Sequence, residues 1–250
     1  MKKNVTSEIS DFKAMPKINL ESITDQVRHL LQREIEAGRL TPGTRIREDE
    51  FAKELGISKS PIRVALHQLK QDGIVRIEPR RGFYVAMPTA EQVIELTEMR
   101  EVLEGLAARR AAERPDKGFV KELSACFAGF REKDLQKRRM EYSRADLRFQ
   151  RLLAEASQST ELIRALEIVN LRLHMSRLYA GLMANHDLVP VHQQHLEIIA
   201  AIKAGNPDRA EAEACAHVAV VRRLVIIRAK QQAEAEDDDL SLNGGLNAEA

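Results

Sequence analysis

The sequence predicts a mainly α-helical protein, in which an N-terminal winged helix-turn-helix is followed by an all-α antiparallel helical bundle. Two apolar stripes at helical spacing, separated by a glycine, occupy residues 48–69. Two short strand-like runs joined by a turn follow at residues 74–87. From residue 90 to about residue 232 the pattern is helical, and Gly and Pro mark the breaks between segments.

The helix-turn-helix is predicted from the spacing of apolar residues. The first helix carries Phe51, Ala52 and Leu55 on one face, and the second carries Ile62, Ala65, Leu66 and Leu69. Gly56 lies between them and can end a helix in the left-handed conformation. Ser58 is suited to cap the second helix, and Pro61 falls in its first turn, where a backbone N–H has no intrahelical partner. Two short helices with facing apolar stripes are therefore predicted.

The outer face of the second helix has the chemistry of a DNA-binding surface. It presents four polar side chains, Lys59, Ser60, Arg63 and His67. Cations and hydroxyl groups of this kind suit phosphates and base edges in the major groove. This stretch alone is also compatible with an ordinary helical hairpin that has a solvated face. The hairpin that follows favours DNA binding, because its turn carries Arg80 and Arg81 and completes a winged helix.

Charge is distributed unevenly along the 250 residues, a length that allows two modest domains. The predicted segments are a flexible arm at residues 1–20, the winged helix-turn-helix at 21–88, an all-helical domain at 89–232 and an acidic disordered tail at 233–250. Their formal charge is net +4 over 1–88, +3 over 89–232 and −6 over the tail. The positive charge of the first part is clustered on the second helix and the wing, as expected of a DNA interface.

Cysteine usage and hydropathy predict a cytoplasmic protein. The two cysteines, Cys126 and Cys215, have no metal-type spacing and are predicted to be small buried hydrophobic residues. No apolar run approaches the roughly 18–20 residues of a membrane helix. The N-terminus lacks the apolar core of a signal peptide.

Six helices are predicted for the second domain from periodicity and from Gly and Pro breaks. Their bounds are 90–113, 116–136, 139–157, 159–182, 190–204 and 207–232. Thr89 is suited to cap the first of them. Helices of this length joined by short connections predict an antiparallel bundle.

Two sets of motifs carry a resemblance to a known family. The first part of the chain contains "GRLTPGTRI", "FAKELGISKSPIRVAL", "LKQDGIV" and "RRGFYV". The second part contains "MREVLEGLAARRAA", "RADLRFQRLLAEAS" and "HLEIIAAIKAGNPDRAEAEACAHV". Over residues 20–232 the sequence resembles a GntR-family transcriptional regulator of the FadR-like branch. The resemblance implies a DNA-binding winged helix followed by an FCD domain that binds an effector and dimerises.

The family's DNA contacts fall on residues that the spacing had already placed on the outer face or the wing. They are Ser58, Lys59, Ser60, Arg63, Arg81 and Gly82, and Arg80 is the neighbouring cation of the wing. One position departs from the pattern, because Asp49 stands where many relatives carry an arginine that reaches a base. The operator sequence therefore cannot be carried over from a relative.

The resemblance also implies a divalent metal ion of the Zn, Ni or Mn type. The branch uses an Asp-x-x-x-His pair on one helix and one His on each of the last two helices. Asp146, His195 and His217 match this set, but Gln150 stands where the paired histidine is expected. An amide oxygen is a poorer ligand than imidazole for such ions, and His192, one turn before His195, is an alternative donor.

Arg100 matches an arginine that the branch directs into the effector cavity, and Arg172 lies on a helix predicted to line the same bundle. A guanidinium group suits bidentate capture of a carboxylate. The alternative for Arg100 is a surface ion pair with Glu104, four residues further on.

The function predicted from these observations is a ligand-responsive regulator, not an enzyme. A homodimer would bind double-stranded DNA with two-fold symmetry and leave its operator when a small carboxylate effector binds. One alternative is a DNA-binding dimer whose helical domain binds no metal and serves only dimerisation. The other is a metallohydrolase with an accessory winged helix, although no HExxH, GxSxG or Cys–His arrangement is present.

Overall fold

The computed structural model describes residues 22–176 and 187–245, with side chains described as far as residue 231. The predicted N-terminal arm lies outside these residues. In the described chain, the first domain contains helices α1 (Ile23–Glu36), α2 (Glu48–Leu55) and α3 (Lys59–Gln71), and strands β1 (Arg45–Ile46), β2 (Val75–Glu78) and β3 (Gly82–Val85). The second domain contains α4 (Ala90–Glu113), α5 (Lys117–Phe127), α6 (Arg139–Ala156), α7 (Thr160–Met175), α8 (Leu188–Lys203) and α9 (Pro207–Gly245).

The first domain has the predicted winged-helix architecture. Ser22 caps α1 by accepting a hydrogen bond from the Asp25 amide, at 3.1 Å. Gly56 ends α2 with a φ of +66°, a conformation that favours glycine and that turns the chain toward α3. The apolar stripe of α3 is buried against α1 and the sheet, as its spacing predicted, and consists of Ile62, Ala65, Leu66 and Leu69.

The sheet has the strand order β1–β3–β2, and both pairings are antiparallel. Phe83 in β3 pairs with Ile77 in β2 and with Ile46 in β1. The sequence predicted β2 and β3 but not β1, because two residues are too few to show an alternating pattern. The β2–β3 turn forms the tip of the wing.

The second domain is built around α4, which packs against α6, α7, α8 and α9. A capping box fixes the start of α4, because the Thr89 side chain accepts from the Gln92 amide and the Gln92 side chain accepts from the Thr89 amide. Buried positions on α4 include small residues that allow close helix contact, such as Ala107 and Ala108. No helix within the described residues has the length and apolar character needed to span a lipid bilayer.

Three predicted boundaries need correction. The helix predicted at 116–136 ends at Phe127 and is followed by a 3₁₀ turn at Glu132–Asp134, because Gly129 weakens the helix where the apolar pattern continues. The tail predicted to be disordered from residue 233 is helical as far as Gly245, since it lacks proline and begins with the strong helix formers Ala and Glu. The helix predicted at 159–182 ends at Met175, because Ser176 has an extended backbone. Residues 177–186 lie outside the described part of the chain.

The two domains contact each other through α7. Leu171 and Met175 are buried in the core of the winged helix, not in the core of the bundle. The Nε2 atom of His174 lies 3.2 Å from the Glu36 carbonyl oxygen at the end of α1. The helical domain therefore has a second connection to the winged helix besides the linker that leads into α4.

Candidate functional site

The predicted DNA-contact residues of α3 lie together at its exposed N-terminal end. Ser58 occupies the N-cap position, but its side chain makes no capping hydrogen bond, so the helix does not use this hydroxyl group. Lys59, Ser60 and Arg63 are exposed on the same side of the domain. Val64 adjoins them with 47% of its surface exposed. An apolar side chain in this place can contact a thymine methyl group, and sequence reasoning did not single it out.

Both cations of this face pair with carboxylates of the first turn of α2. Arg63 donates from Nε to Glu48 Oε1 over 2.7 Å, and Lys59 forms an ion pair with Asp49. The hydrogen bond and charge of Glu48 raise the pKa of Arg63 above its usual value. Because Nε holds the carboxylate, the two terminal nitrogens of Arg63 are left to reach other acceptors. An anionic partner that binds this face would therefore compete with the acidic first turn of α2 for Arg63 and Lys59.

The wing places its cations at a tight turn. The Arg81 amide donates to the Glu78 carbonyl oxygen over 3.0 Å, which closes a turn with Pro79 in its second position. Arg80 follows with a φ of +63°, and Gly82 has a φ of +102°. Arg80 and Arg81 are both exposed. The three wing residues predicted from the sequence are thus together at the tip of the hairpin.

Two further arginines extend this basic surface along the sheet. Arg76 in β2 stacks over the ring of Tyr84, with its guanidinium carbon 5.1 Å from the ring centroid. Arg45 in β1 lies opposite Tyr84 in the ladder and is exposed. Sequence reasoning missed Arg45 because it depends on a strand too short to predict. The motif "GRLTPGTRI" was the available signal, since it places a basic residue just before α2.

The four predicted metal ligands come together in the interior of the helical domain. Asp146 and Gln150 lie on α6, His195 on α8 and His217 on α9, and each is at most 6% exposed. Asp146 Oδ1 is 3.1 Å from His195 Nε2, and Gln150 Nε2 donates to Asp146 Oδ2 over 3.1 Å. The rings of His195 and His217 have centroids 4.5 Å apart. We call these four residues, with Arg100 and Glu104, the buried polar cluster.

His195 is held in place from several sides. Its Nδ1 atom is 2.9 Å from the Tyr142 hydroxyl, and its ring stacks on Phe127 at 4.6 Å. Burial raises the pKa of Tyr142 far above its usual value, so this hydroxyl stays neutral. Because Nδ1 of His195 faces the Tyr142 hydroxyl, Nε2 is the nitrogen that faces Asp146.

Asp146 is ionised although it is buried. Burial by itself would raise the pKa of its carboxyl group, but the attraction of His195, Arg100 and His217 outweighs burial and lowers the pKa to about 2. The carboxylate is therefore negatively charged throughout the physiological pH range. A charge held in a domain interior needs a partner of opposite sign or a ligand.

A preformed metal site is not present among the described residues. No group of three or more histidine, cysteine, aspartate or glutamate side chains in that part of the chain is placed to hold a metal ion. Asp146 and His195 lie against each other, and Gln150 directs its amide nitrogen, a donor, at the carboxylate. The metal site thus stays a prediction, with its residues adjacent but directed at one another.

Arg100 lies in the interior and not on the surface. Its Nε atom donates to Glu104 Oε2 over 2.7 Å, and both side chains are only 2% exposed. The ion pair considered from the sequence is present, but it is buried, so it differs from the surface pair of that alternative. The charge of Arg100 also helps to lower the pKa of Asp146, one of the predicted metal ligands.

Arg172 is not in the interior of the bundle, where the sequence placed it. Its guanidinium group packs against Gly73 at the end of α3, so close that a Cβ atom on Gly73 would lie 3.0 Å from it. The neighbouring Leu171 and Met175 face the winged helix, which explains why Arg172 points toward the same domain. Arg172 therefore belongs to the domain contact.

Comparison with known proteins identifies both domains. Residues 23–85 match the model of bacterial regulatory proteins of the gntR family, and residues 95–220 match the model of the FCD domain. The chain belongs to the GntR family and carries an FCD domain. This confirms the resemblance drawn from the motifs.

Relatives along most of the chain agree with this assignment. An uncharacterized HTH-type transcriptional regulator of Bacillus subtilis, YdhC, is 30% identical over 203 residues, which cover 77% of this chain and 86% of YdhC. A probable D-xylose utilization operon transcriptional repressor of Paenarthrobacter nicotinovorans is 29% identical over 198 residues, covering 79% and 86%. The solved structure of Escherichia coli McbR/YncC has the same fold, with a TM-score of 0.65 and 23% identity, covering 86% of this chain and all of that one.

These families and relatives are transcriptional regulators and not enzymes. The metallohydrolase alternative is therefore set aside. The prediction that the protein is a DNA-binding GntR-family regulator is confirmed at the level of the family.

Proposed function

We propose that this regulator is a repressor that leaves its operator when a small carboxylate effector binds inside the helical domain. The observation that carries the proposal is the buried polar cluster. Ionised groups such as Asp146, Arg100 and Glu104 cost stability in a domain interior unless they are paired or bind a ligand. Perturbed, buried charges of this kind are typical of functional sites.

The charge of the cluster links the effector to the metal ion. With both imidazoles neutral, as they are when they bind a metal ion, Arg100 contributes +1, while Glu104 and Asp146 contribute −1 each, so the cluster has a net charge of −1 before the ion is counted. A carboxylate would be repelled by such a cluster. A bound divalent ion changes the net charge to +1, and an anionic ligand then becomes favourable. The proposal therefore requires that carboxylate binding depends on metal.

Two features of the cluster support a metal ion and one opposes it. Asp146 Oδ1 and His195 Nε2 are buried and form no hydrogen bond, although they are close together. The Tyr142 hydroxyl orients the His195 ring through its other nitrogen, as the outer partners of metal-binding histidines do. Against it stands Gln150, whose amide nitrogen occupies Asp146 Oδ2. A metal held by Asp146, His195 and His217 would supply positive charge to the buried polar cluster.

A thermal-shift screen tests the metal ion and the carboxylate effector together. Small organic acids are added to the purified protein with and without Zn²⁺, Ni²⁺ or Mn²⁺, because a ligand that binds the native state raises its unfolding temperature. We expect stabilisation by the acid only when metal is present. Stabilisation that is equal in the presence of a chelator would contradict the charge argument.

Metal content is the direct test of the ligand set. We expect one divalent ion per subunit by elemental analysis, lost in His195→Ala and in His217→Ala and retained in the control His67→Ala, which changes an exposed histidine of α3. Gln150→His should tighten binding, because neutral imidazole is the better ligand for a transition ion. Unchanged metal content in both cluster variants would exclude this site.

The second candidate is a dimer whose helical domain serves only dimerisation and binds neither metal nor effector. The amide nitrogen of Gln150 favours this alternative, because it donates to Asp146 where a metal ligand would offer a lone pair. An absence of bound metal together with an absence of any stabilising acid would support it over the first proposal.

The proposed partner is double-stranded DNA with two-fold symmetry, bound by a homodimer in the cytoplasm. Two recognition helices from paired subunits read half-sites about one helical turn apart. The name of the Paenarthrobacter nicotinovorans relative, a probable transcriptional repressor, supports the direction of regulation. Light scattering of the protein with selected DNA tests the stoichiometry, and one subunit per duplex would contradict the proposal.

Two structural routes can carry the effector signal to the winged helix. The capping residue Thr89 begins α4 directly after the wing, and the same helix carries Arg100. The helix α7 packs between the bundle and the core of the winged helix through Leu171 and Met175. A ligand that prefers one arrangement of these helices shifts the separation of the paired recognition helices.

A further inference from the structure

A cleft of about 550 Å³ lies between the winged helix and the helical domain. One wall is the exposed side of α1, and the other is formed by α6 and α7. Its apolar floor consists of Leu147, Ala154, Ile163, Leu166 and Leu171. The cleft lies between the domains, whereas the buried polar cluster lies within the helical domain. The two are adjacent through Gln150, which lines the cleft and donates to Asp146.

Four arginines line this cleft. Arg144, Arg148 and Arg151 are spaced along one face of α6, and Arg33 lies opposite on α1. None of the four forms an ion pair or a side-chain hydrogen bond with the described residues. Arg109, by contrast, contacts both Asp208 and Glu211. Arginines grouped without an ion-paired carboxylate repel one another, so their grouping in a concave site favours an anion.

The remaining polar groups narrow the class of ligand. The lining includes two carboxylates, Glu36 and Glu167, so the ionised side chains give the cleft a net charge of +2 with neutral histidines. Asn170 also lines it, and its buried Oδ1 atom has no hydrogen-bond partner. A hydroxyl group of a ligand would satisfy this acceptor. The volume suits a small molecule of metabolite size.

We propose that this cleft binds a small hydroxylated molecule that carries a phosphate group or two carboxylates. Arginine forks on both walls hold the anionic group, and Asn170 accepts from a hydroxyl group. Because Arg33 belongs to the winged helix and the other arginines to the FCD domain, the ligand joins the two domains. This second site goes beyond the effector site proposed above, and it does not require metal.

Isothermal titration of the full-length protein tests the proposal with three probes in buffer of physiological ionic strength. Glucose 6-phosphate tests the phosphate source, malate tests the carboxylate source, and glucose controls for the uncharged sugar. A chelator is present throughout, so that binding at the metal-dependent effector site does not contribute. We expect saturable binding of at least one anionic probe and none of glucose.

Arg148→Ala with Arg151→Ala is the test variant, and Arg110→Ala with Arg114→Ala is the matched control. The control residues are exposed arginines of the helical domain that lie outside the cleft. We expect Kd to rise about tenfold or more in the test variant, from the loss of charge-assisted hydrogen bonds, and to change less than about twofold in the control. Arg33→Ala should weaken binding as well, because the site spans both domains.

Three results would overturn the proposal. The first is that neither anionic probe binds saturably. The second is equal weakening of binding in the test and control variants, and the third is unchanged binding in Arg33→Ala. The charge-preserving pair Arg148→Lys with Arg151→Lys separates site chemistry from loss of fold, and should bind more weakly than wild type while melting at the same temperature. If the four arginines instead serve DNA phosphates, the test variant lowers the salt dependence of DNA binding and no probe binds.

Discussion

The recognition face of the winged helix and the buried polar cluster of the FCD domain both depend on charged pairs, but in opposite surroundings. Arg63 and Glu48 have 59% and 21% of their side chains exposed, whereas Arg100 and Glu104 have 2% each. Water screens the first pair, so it is weak and easily exchanged for DNA phosphates or base edges. The second pair is removed from water, so losing one partner leaves a costly buried charge.

Under the proposed function, the two regions divide the work of regulation. The exposed pairs would make the DNA surface easy to engage and release. The buried groups would make the helical domain sensitive to a ligand that changes their charge balance, and binding of that ligand would outweigh the weak interactions of the exposed pairs.

The largest expected effect is on stability. Glu104→Ala should lower the free energy of unfolding by about 3–5 kcal/mol, because it removes a buried carboxylate that pairs with Arg100. Glu113→Ala removes the carboxylate of the exposed Arg109–Glu113 pair, which lies in the same helix with the same i, i+4 spacing, and should cost less than about 1 kcal/mol. Urea unfolding measures both variants. Equal losses would contradict the distinction between the two regions.

A smaller effect is expected on DNA affinity. Arg63→Ala should weaken specific binding by about 1–3 kcal/mol without loss of fold, because it removes an exposed group that can contact a base. Lys59→Ala should reduce the slope of log affinity against log salt by about 1, the signature of one phosphate contact. Fluorescence anisotropy measures both, with Lys70→Ala at the far end of α3 as the control. Wild-type affinity and salt dependence in both variants would exclude this docking face.

The smallest effect is expected from the acidic turn of α2. Asp49→Ala removes the carboxylate that pairs with Lys59 and should tighten DNA binding by about 0.2–1 kcal/mol, because the lysine becomes available to phosphate. The control is Glu54→Ala, which changes an exposed acid of the same helix that has no ion pair among the described residues. Weaker binding by Asp49→Ala would show that this carboxylate contacts a base and does not compete with DNA.

The recognition face could be predicted from the sequence because it depends on local spacing. The 3.6-residue period of α3 decides which side chains are buried, and the outer face follows. The start of α4 was equally predictable, since Thr89 and Gln92 form a local capping box. The strand β1 was missed because its two residues gain their conformation from pairing with β3, which is distant in sequence.

The buried cluster and the domain contact could not be derived from spacing in the same way. Asp146 and His195 are 49 residues apart in the chain, and only the family resemblance placed them in one site. The periodicity of α7 indicates which residues are buried but not which domain buries them, so Arg172 was assigned to the wrong neighbour. The ion pair of Arg100 was predictable as i, i+4 spacing, whereas its burial was not.

Control of DNA affinity from the buried polar cluster is tested most directly by an effector titration of operator binding. The organic acid that stabilises the metal-loaded protein most is titrated against wild type and Arg100→Lys bound to DNA selected from a random pool. We expect the acid to weaken DNA binding of wild type by about 5- to 150-fold, the usual range of coupling between two sites. Arg100→Lys keeps the buried charge but loses the planar fork, so it should bind DNA normally and respond little to the acid. A full response in Arg100→Lys, or a wild-type protein that binds the acid without any change in DNA affinity, would contradict this account.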